Sequence, residues 1–341
     1  MELTAVEFCA GGGGQAIGLE KAGFKCAGAV EIDPDCCTTL RLNRPHWDVR
    51  QDDMRCVDGT RWRGVDLFAA GVPCPPFSIA GKQLGEDDDR DMFPTALHLI
   101  EQINPAAIML ENGPGFASAK FEGNRHKLLG QIAKLGYEAE WQVLQAADYG
   151  VPQLRPRFIL VGLRSDRFRF FGWPEPLGKI KTVGPTLQDL MAVNGWRGVG
   201  KWVQRANRVA PTVGGSKKHG GPDLGPTRAK RQWLDLGVDA KGIADAAPDR
   251  SFPEDGFPKL TVRMVARIQS FPDTWLFSGR KTAAYRQVGN AFPPDVAFMV
   301  GTAISNALHK RRNPLCHATT LENEMRLLDA PKSKPKAQAK K

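Results

Sequence analysis

The chain has 341 residues and a mass of 37.4 kDa; 42% of the residues are hydrophobic and 25% charged, which is ordinary globular chemistry and excludes a collagen, a low-complexity repeat or a wholly disordered protein. That length exceeds what one hydrophobic core usually organises, so two domains are expected. Lys and Arg number 47 against 37 Asp and Glu, a net +10 and a pI near 9.3, which points to a polyanionic partner such as nucleic acid.

The N-terminus lacks the basic and apolar regions of an export signal, and no run approaches the ~20 apolar residues of a membrane span. A cytoplasmic chain without membrane contact is expected. Leu3–Phe8 reads as a strand that runs into Ala10-Gly11-Gly12-Gly13-Gly14. Ala16–Ala22 has helical composition and stops at Gly23. Cys26–Ile32 is a second strand ending in Glu31-Ile32-Asp33, and Pro34 opens a helix with Cys37, Leu40 and Leu42. Val65–Val72 is a third strand. Phe93, Leu97 and Ile100 recur at helical spacing, Ala106–Leu110 is a strand, Leu128–Leu135 a helix, and Tyr137–Leu144 and Phe158–Leu163 are strands. This alternation predicts an α/β fold with a mostly parallel sheet covered on both faces.

Between Arg164 and Lys259 the rhythm is lost; Gly, Pro, Trp and basic residues predict an irregular unit with long loops. Helical periodicity returns at Leu260–Ser270 and Asp295–Leu308, and the Pro/Lys/Ala-rich end, Pro331–Lys341, is expected to be disordered. Charge follows the same division. The net charge is −6 over residues 1–163, +7 over 164–260, +3 over 261–309 and +6 over 310–341. An acidic front and a basic second segment suggest a division of labour.

Three turns carry candidate chemistry. The glycines after the first strand let a ligand approach the backbone, and Glu31, twenty positions after Gly11, can accept hydrogen bonds from ribose hydroxyls. That pattern fits a nicotinamide enzyme and an S-adenosylmethionine enzyme equally. The third strand ends in Gly71-Val72-Pro73-Cys74-Pro75-Pro76-Phe77-Ser78, which holds a thiol between prolines where open α/β sheets bind ligands. Seven cysteines without a Cys-x-x-Cys pair indicate free thiols and no metal site. Cys9, Cys26, Cys36, Cys37 and Cys56 read as small buried hydrophobes. Glu111-Asn112 ends the fourth strand and faces the same cleft. Gln153-Leu154-Arg155-Pro156-Arg157 then places two arginines on one face of an extended segment.

Taken together and in order, these residues resemble the cytosine-C5 DNA methyltransferase family over about residues 4–305. Phe8–Gly14 is similar to its first motif, Glu31-Ile32-Asp33 to the second and, more weakly, Asp52-Asp53-Met54 to the third. Gly71–Ser78 resembles the Pro-Cys nucleophile motif, Asp89-Arg90 with Phe93 the short motif after the mobile loop, and Glu111-Asn112 the Glu-Asn-Val motif. Gln153–Arg157 matches the Gln-x-Arg-x-Arg motif, Leu260–Arg263 through Gln269–Asp273 the ninth, and Gln287-Val288-Gly289-Asn290-Ala291 the last. The chain departs from the family at Pro75 (usually Gln), Gly113 (Val), Cys9 (Phe) and Glu7 (Asp). The acidic run Glu86–Asp89 has no physical account near phosphates.

The resemblance implies a Rossmann-like S-adenosylmethionine-dependent methyltransferase sheet with a smaller irregular target-recognition domain. The expected division is a first catalytic segment 1–163, recognition domain 164–259, second catalytic segment 260–310 and basic tail 311–341. The helix Asp295–Leu308 would pack beside the first strand–helix unit. Cys74 would add to C6 of a flipped-out cytosine, Glu111 would bond its N3, Arg157 its O2, Asn112 would fix the Pro-Cys loop, and Arg155 would support the site. Phe8, Gly11, Gly13, Glu31, Ile32, Asp53, Pro73 and Asn290 would contact S-adenosyl-L-methionine, leaving S-adenosyl-L-homocysteine. Ser78, Gln153, Lys217, Lys218, Arg228 and Arg231 would contact DNA. The expected setting is a monomer acting on duplex DNA in a bacterial cytoplasm, with a cognate restriction endonuclease acting separately. A tRNA cytosine-5 methyltransferase of the same family, a nicotinamide oxidoreductase and a DNA-binding protein with a dead site are the alternatives.

Overall fold

The computed structural model describes residues 2–73, 91–214, 224–225 and 227–311. Seven strands form one sheet: β1 (Leu3–Phe8), β2 (Phe24–Glu31), β3 (Val49–Gln51), β4 (Leu67–Gly71), β5 (Ala107–Asn112), β6 (Glu138–Gln145) and β7 (Pro156–Leu163). Their spatial order is β3-β2-β1-β4-β5-β7-β6. The first five are parallel, whereas β7 runs antiparallel to both β5 and β6. The ten residues 146–155 between β6 and β7 are too few for a parallel crossover, which takes about a dozen or more. β3 was not anticipated, because three residues are too few to show a periodicity.

The chain leaves β1 toward β2 on one side and returns to β4 on the other. That reversal opens a crevice beyond the carboxyl ends of β1 and β4, where sheets of this kind bind ligands. The inner strands are mostly apolar on both sides because helices cover both faces, although Glu7 of β1 is buried. On one face Val6, Phe8, Phe68, Ile108 and Leu110 pack against α3 (Phe93–Ile103) and α4 (Glu122–Lys134). On the other, Leu3, Ala5, Leu67, Met109 and Val161 pack with Leu19 of α1 (Gly14–Lys21) and Val296, Val300 and Ile304 of α11 (Pro294–Leu308).

Helix α11, from the far end of the chain, thus lies beside α1. The two approach so closely that a Cβ on Gly18 would sit 2.4 Å from both Ala297 Cβ and the Pro294 carbonyl oxygen. Backbone cannot yield cheaply there, so Gly18→Ala is expected to destabilise the protein by about 1–3 kcal/mol. A urea midpoint unchanged from wild type would show that the contact relaxes instead.

The segment 164–259 is more regular than its composition suggested. After α2 (Pro34–Asn43) in the front half and the single turn α5 (Ser165–Phe168), it contains α6 (Val183–Ala192), α7 (Val199–Arg205) and α8 (Thr227–Asp235). Val183, Leu187 and Met191 form a helical stripe of buried residues in α6 that surrounding Gly and Pro obscure. Trp196, Trp202 and Trp233 are buried with them. This core continues without a break into Leu260, and into Met264, Val265 and Ile268 of α9 (Val262–Ile268). α10 (Lys281–Asn290) was also unannounced, because Gln287 is buried where an apolar residue would have marked the stripe. Of the five cysteines expected in the core, Cys36 and Cys37 are buried, Cys9 and Cys26 are half-buried and Cys56 is exposed. Among the described residues no helix is long and apolar enough to cross a membrane.

Candidate active site

Gly11 has φ +54° and open space where a side chain would point, so a ligand can reach its backbone. Its N–H donates to a Glu31 carboxylate oxygen at 2.7 Å, and the Asp33 N–H donates to the other at 2.8 Å. A carboxylate offers about four acceptor sites, so two remain for ribose hydroxyls. At Gly13 packing leaves no room for a side chain. A Cβ there would lie 2.7 Å from the Trp275 ring, whose indole N–H donates to the Gly12 carbonyl at 3.0 Å. Ile32, at 62% exposure, offers an apolar surface next to Glu31. Asp53 is half-buried and paired with Arg55, which holds its carboxyl below the usual range. Asn290 is exposed at the end of α10, and α10 reaches the glycine turn, since the Gln287 Cβ lies 3.2 Å from where a Gly12 side chain would start.

Phe8 corrects one expectation. Its side chain is fully buried, stacked on Phe68 (ring centroids 5.1 Å) and edge-on to Trp62 (5.6 Å). Strand alternation turns it into the core with Val6, away from the crevice. The next residue, Cys9, is half-buried with φ +55°, and its thiol lies 3.4 Å from Met54 Sδ. Cys9 was signalled by its departure from the family pattern, which places Phe there.

The ends of β4 and β5 set Glu111 and Asn112 beside Val72 and Pro73, the residues that lead into Cys74. Pro73, the last described residue before Cys74, is exposed. Buried Asn112 donates from Nδ2 to the Val72 carbonyl at 3.3 Å, and its Oδ1 accepts from the Gly113 N–H at 2.6 Å. The Val72 N–H donates to the Glu111 carbonyl at 3.1 Å. The Glu111 carboxylate lies 3.6 Å from where a Gly71 side chain would begin, and Arg157 Nε meets it at 2.8 Å. Burial pushes the Glu111 carboxyl above its ordinary value; Arg157, then Arg155, pull it down, and burial prevails. The same burial works against the charge of Arg157, which Glu111 sustains.

Gln153 was expected at DNA. It is fully buried, its Oε1 accepting from the Val213 N–H and its Nε2 donating to Gln269 Oε1, both at 2.7 Å. With both ends of its amide bonded inside the protein and no surface exposed, its side chain does not face a DNA ligand. Arg155 is likewise sealed in; it donates to the carbonyls of Val213 (2.9 Å), Gly289 (2.8 Å) and Ala291 (2.9 Å). Arg228 and Arg231 are exposed, one helical turn apart on α8. Cys74, Ser78, the run Glu86–Asp89, Lys217, Lys218 and the tail Pro331–Lys341 lie outside the described residues. Among the described residues no three His, Cys, Asp or Glu side chains gather as metal ligands.

Comparison with known proteins gives this arrangement a family. A model of the C-5 cytosine-specific DNA methylase family matches residues 3–306. The Type II methyltransferase M.NaeI of Lentzea aerocolonigenes is 55% identical over 90% of this chain and 76% of its own length. The Type II methyltransferase M.NgoMIV of Neisseria gonorrhoeae is 50% identical over 91% of this chain and 99% of its own. A Spodoptera frugiperda DNMT2 variant shares the fold with a TM-score of 0.62 at 17% identity, covering 89% of this chain and 99% of that one. At that identity the likeness shows architecture and does not favour the RNA alternative; the glycine turn, for its part, belongs to a methyltransferase rather than a nicotinamide oxidoreductase. The chain belongs to the C-5 cytosine-specific DNA methylase family and is a DNA cytosine-5 methyltransferase of the Type II modification kind.

Proposed function

We propose that this enzyme methylates one cytosine within a specific duplex DNA sequence, using Cys74 as nucleophile and residues 164–259 as the recognition segment. The observation that carries this is the half-buried Glu111–Arg157 pair beside the strand end that leads into Cys74. The target carbon is stacked inside a duplex, so the base must leave the helix to meet that pair. The Cys74 thiolate then adds to C6, which makes C5 electron-rich. Glu111 hydrogen-bonds N3 and Arg157 holds O2, so that charge developing on the ring is met by fixed partners. Asn112 holds Val72 and with it the approach to Cys74. A bound S-adenosylmethionine would supply an electrophilic methyl group to C5. The residues fit it: Gly11 is open, Glu31 has spare acceptors, Ile32, Asp53 and Pro73 follow the carboxyl ends of β2, β3 and β4, and Asn290 is exposed at the end of α10. Transfer of the C5 proton to solvent re-forms the C5–C6 double bond and expels the thiolate, which restores Cys74 and leaves 5-methylcytosine.

The exposed Arg228 and Arg231, with Lys217 and Lys218, would supply phosphate and base contacts. The bacterial relatives support action in a bacterial cytoplasm beside a separate cognate endonuclease. A monomer without a metal ion suffices for this chemistry, since every group invoked is in one chain. The test is methylation of mixed-sequence duplex DNA followed by bisulfite sequencing, with wild type and with a chimera carrying residues 164–259 of a relative of different specificity. A single methylated sequence that moves in the chimera is expected. Methylation of RNA alone, or an active chimera keeping the original target, would refute the assignment.

A further inference from the structure

Three chain segments, two of them within motifs named above, meet at a buried polar junction. The first is Gln153–Arg155, entering β7. The second is Ala210–Val213, in the proposed recognition segment. It lies along the first, the Ala210 N–H donating to the Pro152 carbonyl at 2.9 Å and the Leu154 N–H to the Ala210 carbonyl at 2.7 Å. The third is Val288–Ala291, which carries Asn290. Gln269, at the end of α9 and fully buried, stands between them. Its Oε1 accepts from Gln153 Nε2 at 2.7 Å, and Gln153 in turn holds the Val213 N–H. Its Nε2 donates to the carbonyls of Val288 at 2.8 Å and Ala291 at 3.3 Å.

We infer that Gln269 is a positioning residue for methyl transfer: a relay of amides from Val213 through Gln153 and Gln269 to Val288 and Ala291 keeps the recognition segment in register with the turn that carries Asn290, so that cofactor and DNA binding strengthen each other. The inference rests on the proposed roles of residues 164–259 and of Asn290. Position 269 needs an amide because it must accept on one side and donate on the other, and a buried polar atom without a partner is costly. No other neutral side chain of that length does both. Arg155 bonds Val213, Gly289 and Ala291 in parallel. Loss of Gln269 therefore loosens the junction without severing it, and the fold should survive.

The test reads coupling by binding, so it does not depend on turnover. Affinity for a duplex carrying the mapped site is measured with and without S-adenosylhomocysteine, and the ratio is the coupling factor. The same factor must appear when the order of ligands is reversed. Wild type is expected to show a factor of about 5–150, the usual range. Gln269→Met is expected to reduce it to less than about a third, while affinity for each ligand alone changes less than about threefold. Gln269→Glu keeps the acceptor for Gln153 and loses the donor to Val288; it should show the same loss of coupling and decides the matter if Gln269→Met does not fold. Wild-type coupling in Gln269→Glu, no coupling in the wild type, or equal weakening of both ligands with the factor unchanged would each overturn the inference. Methylation of the wrong polymer by wild type would instead count against the proposed function.

Discussion

Replacing Cys74 with alanine is expected to lower methyl transfer by roughly four orders of magnitude or more, because no other group can make the bond to C6 that activates C5. Cofactor binding should change little, since Gly11, Glu31 and Asp53 lie in the turn after β1, at the end of β2 and in the segment after β3, not on the Cys74 loop. A second readout separates chemistry from folding. Duplex DNA with 5-fluorocytosine at the target should trap the native enzyme, because fluorine on C5 cannot leave as a proton does and the thioether persists. The Cys74→Ala variant should form no such adduct. Turnover near the wild-type rate in that variant would rule out the covalent route.

The second large effect is expected at Glu111. Glu111→Gln keeps the size of the side chain but cannot pass a proton to N3, and it removes the charged partner of the half-buried Arg157 guanidinium. General acid–base groups are worth about 10²–10⁴-fold, and a fall in kcat of that order is expected. The pH profile gives the sign. Burial raises the Glu111 carboxyl above its ordinary value. Its neutral form, the one able to donate to N3, therefore persists to higher pH and is lost as pH rises through the raised value. Wild-type kcat should fall on that alkaline limb, and Glu111→Gln should lack it. An identical limb in both would assign the titration to another group.

Much of the fold was legible in the residues. Leu3–Phe8 is mostly apolar, broken by Thr4 and a buried Glu7, and Phe158–Leu163 is a continuous run of apolar residues and glycine, as a strand covered on both faces tends to be. The positive φ of Gly11 was legible because a glycine-rich turn after a strand favours residues free to adopt it, and the place of Glu31 was legible from the end of the second apolar run. β3, the reversed direction of β7 and the helices α6 and α10 were not. β3 is too short for a period, strand direction is a property of pairing, and a buried Gln287 bonded to Thr39 at 2.6 Å looks polar in sequence.

What the sequence by itself determined is the identity and order of the reactive groups. A thiol among prolines, a Glu-Asn pair and two spaced arginines are chemical facts that need no coordinates. Only the tertiary structure decided where their side chains face. It turned Phe8 into the core beside Val6, and it set Cys9, just past the strand with φ +55°, against Met54. It buried Gln153 and Arg155 as braces, while Arg157, two positions on, met Glu111. It also brought Gln269 and Ala291 to Gln153 and Arg155 across 116 and 136 positions of chain. The physical reason is burial: a polar side chain removed from water must find its partners wherever the packed chain supplies them, and no local pattern records which distant carbonyl or amide that will be.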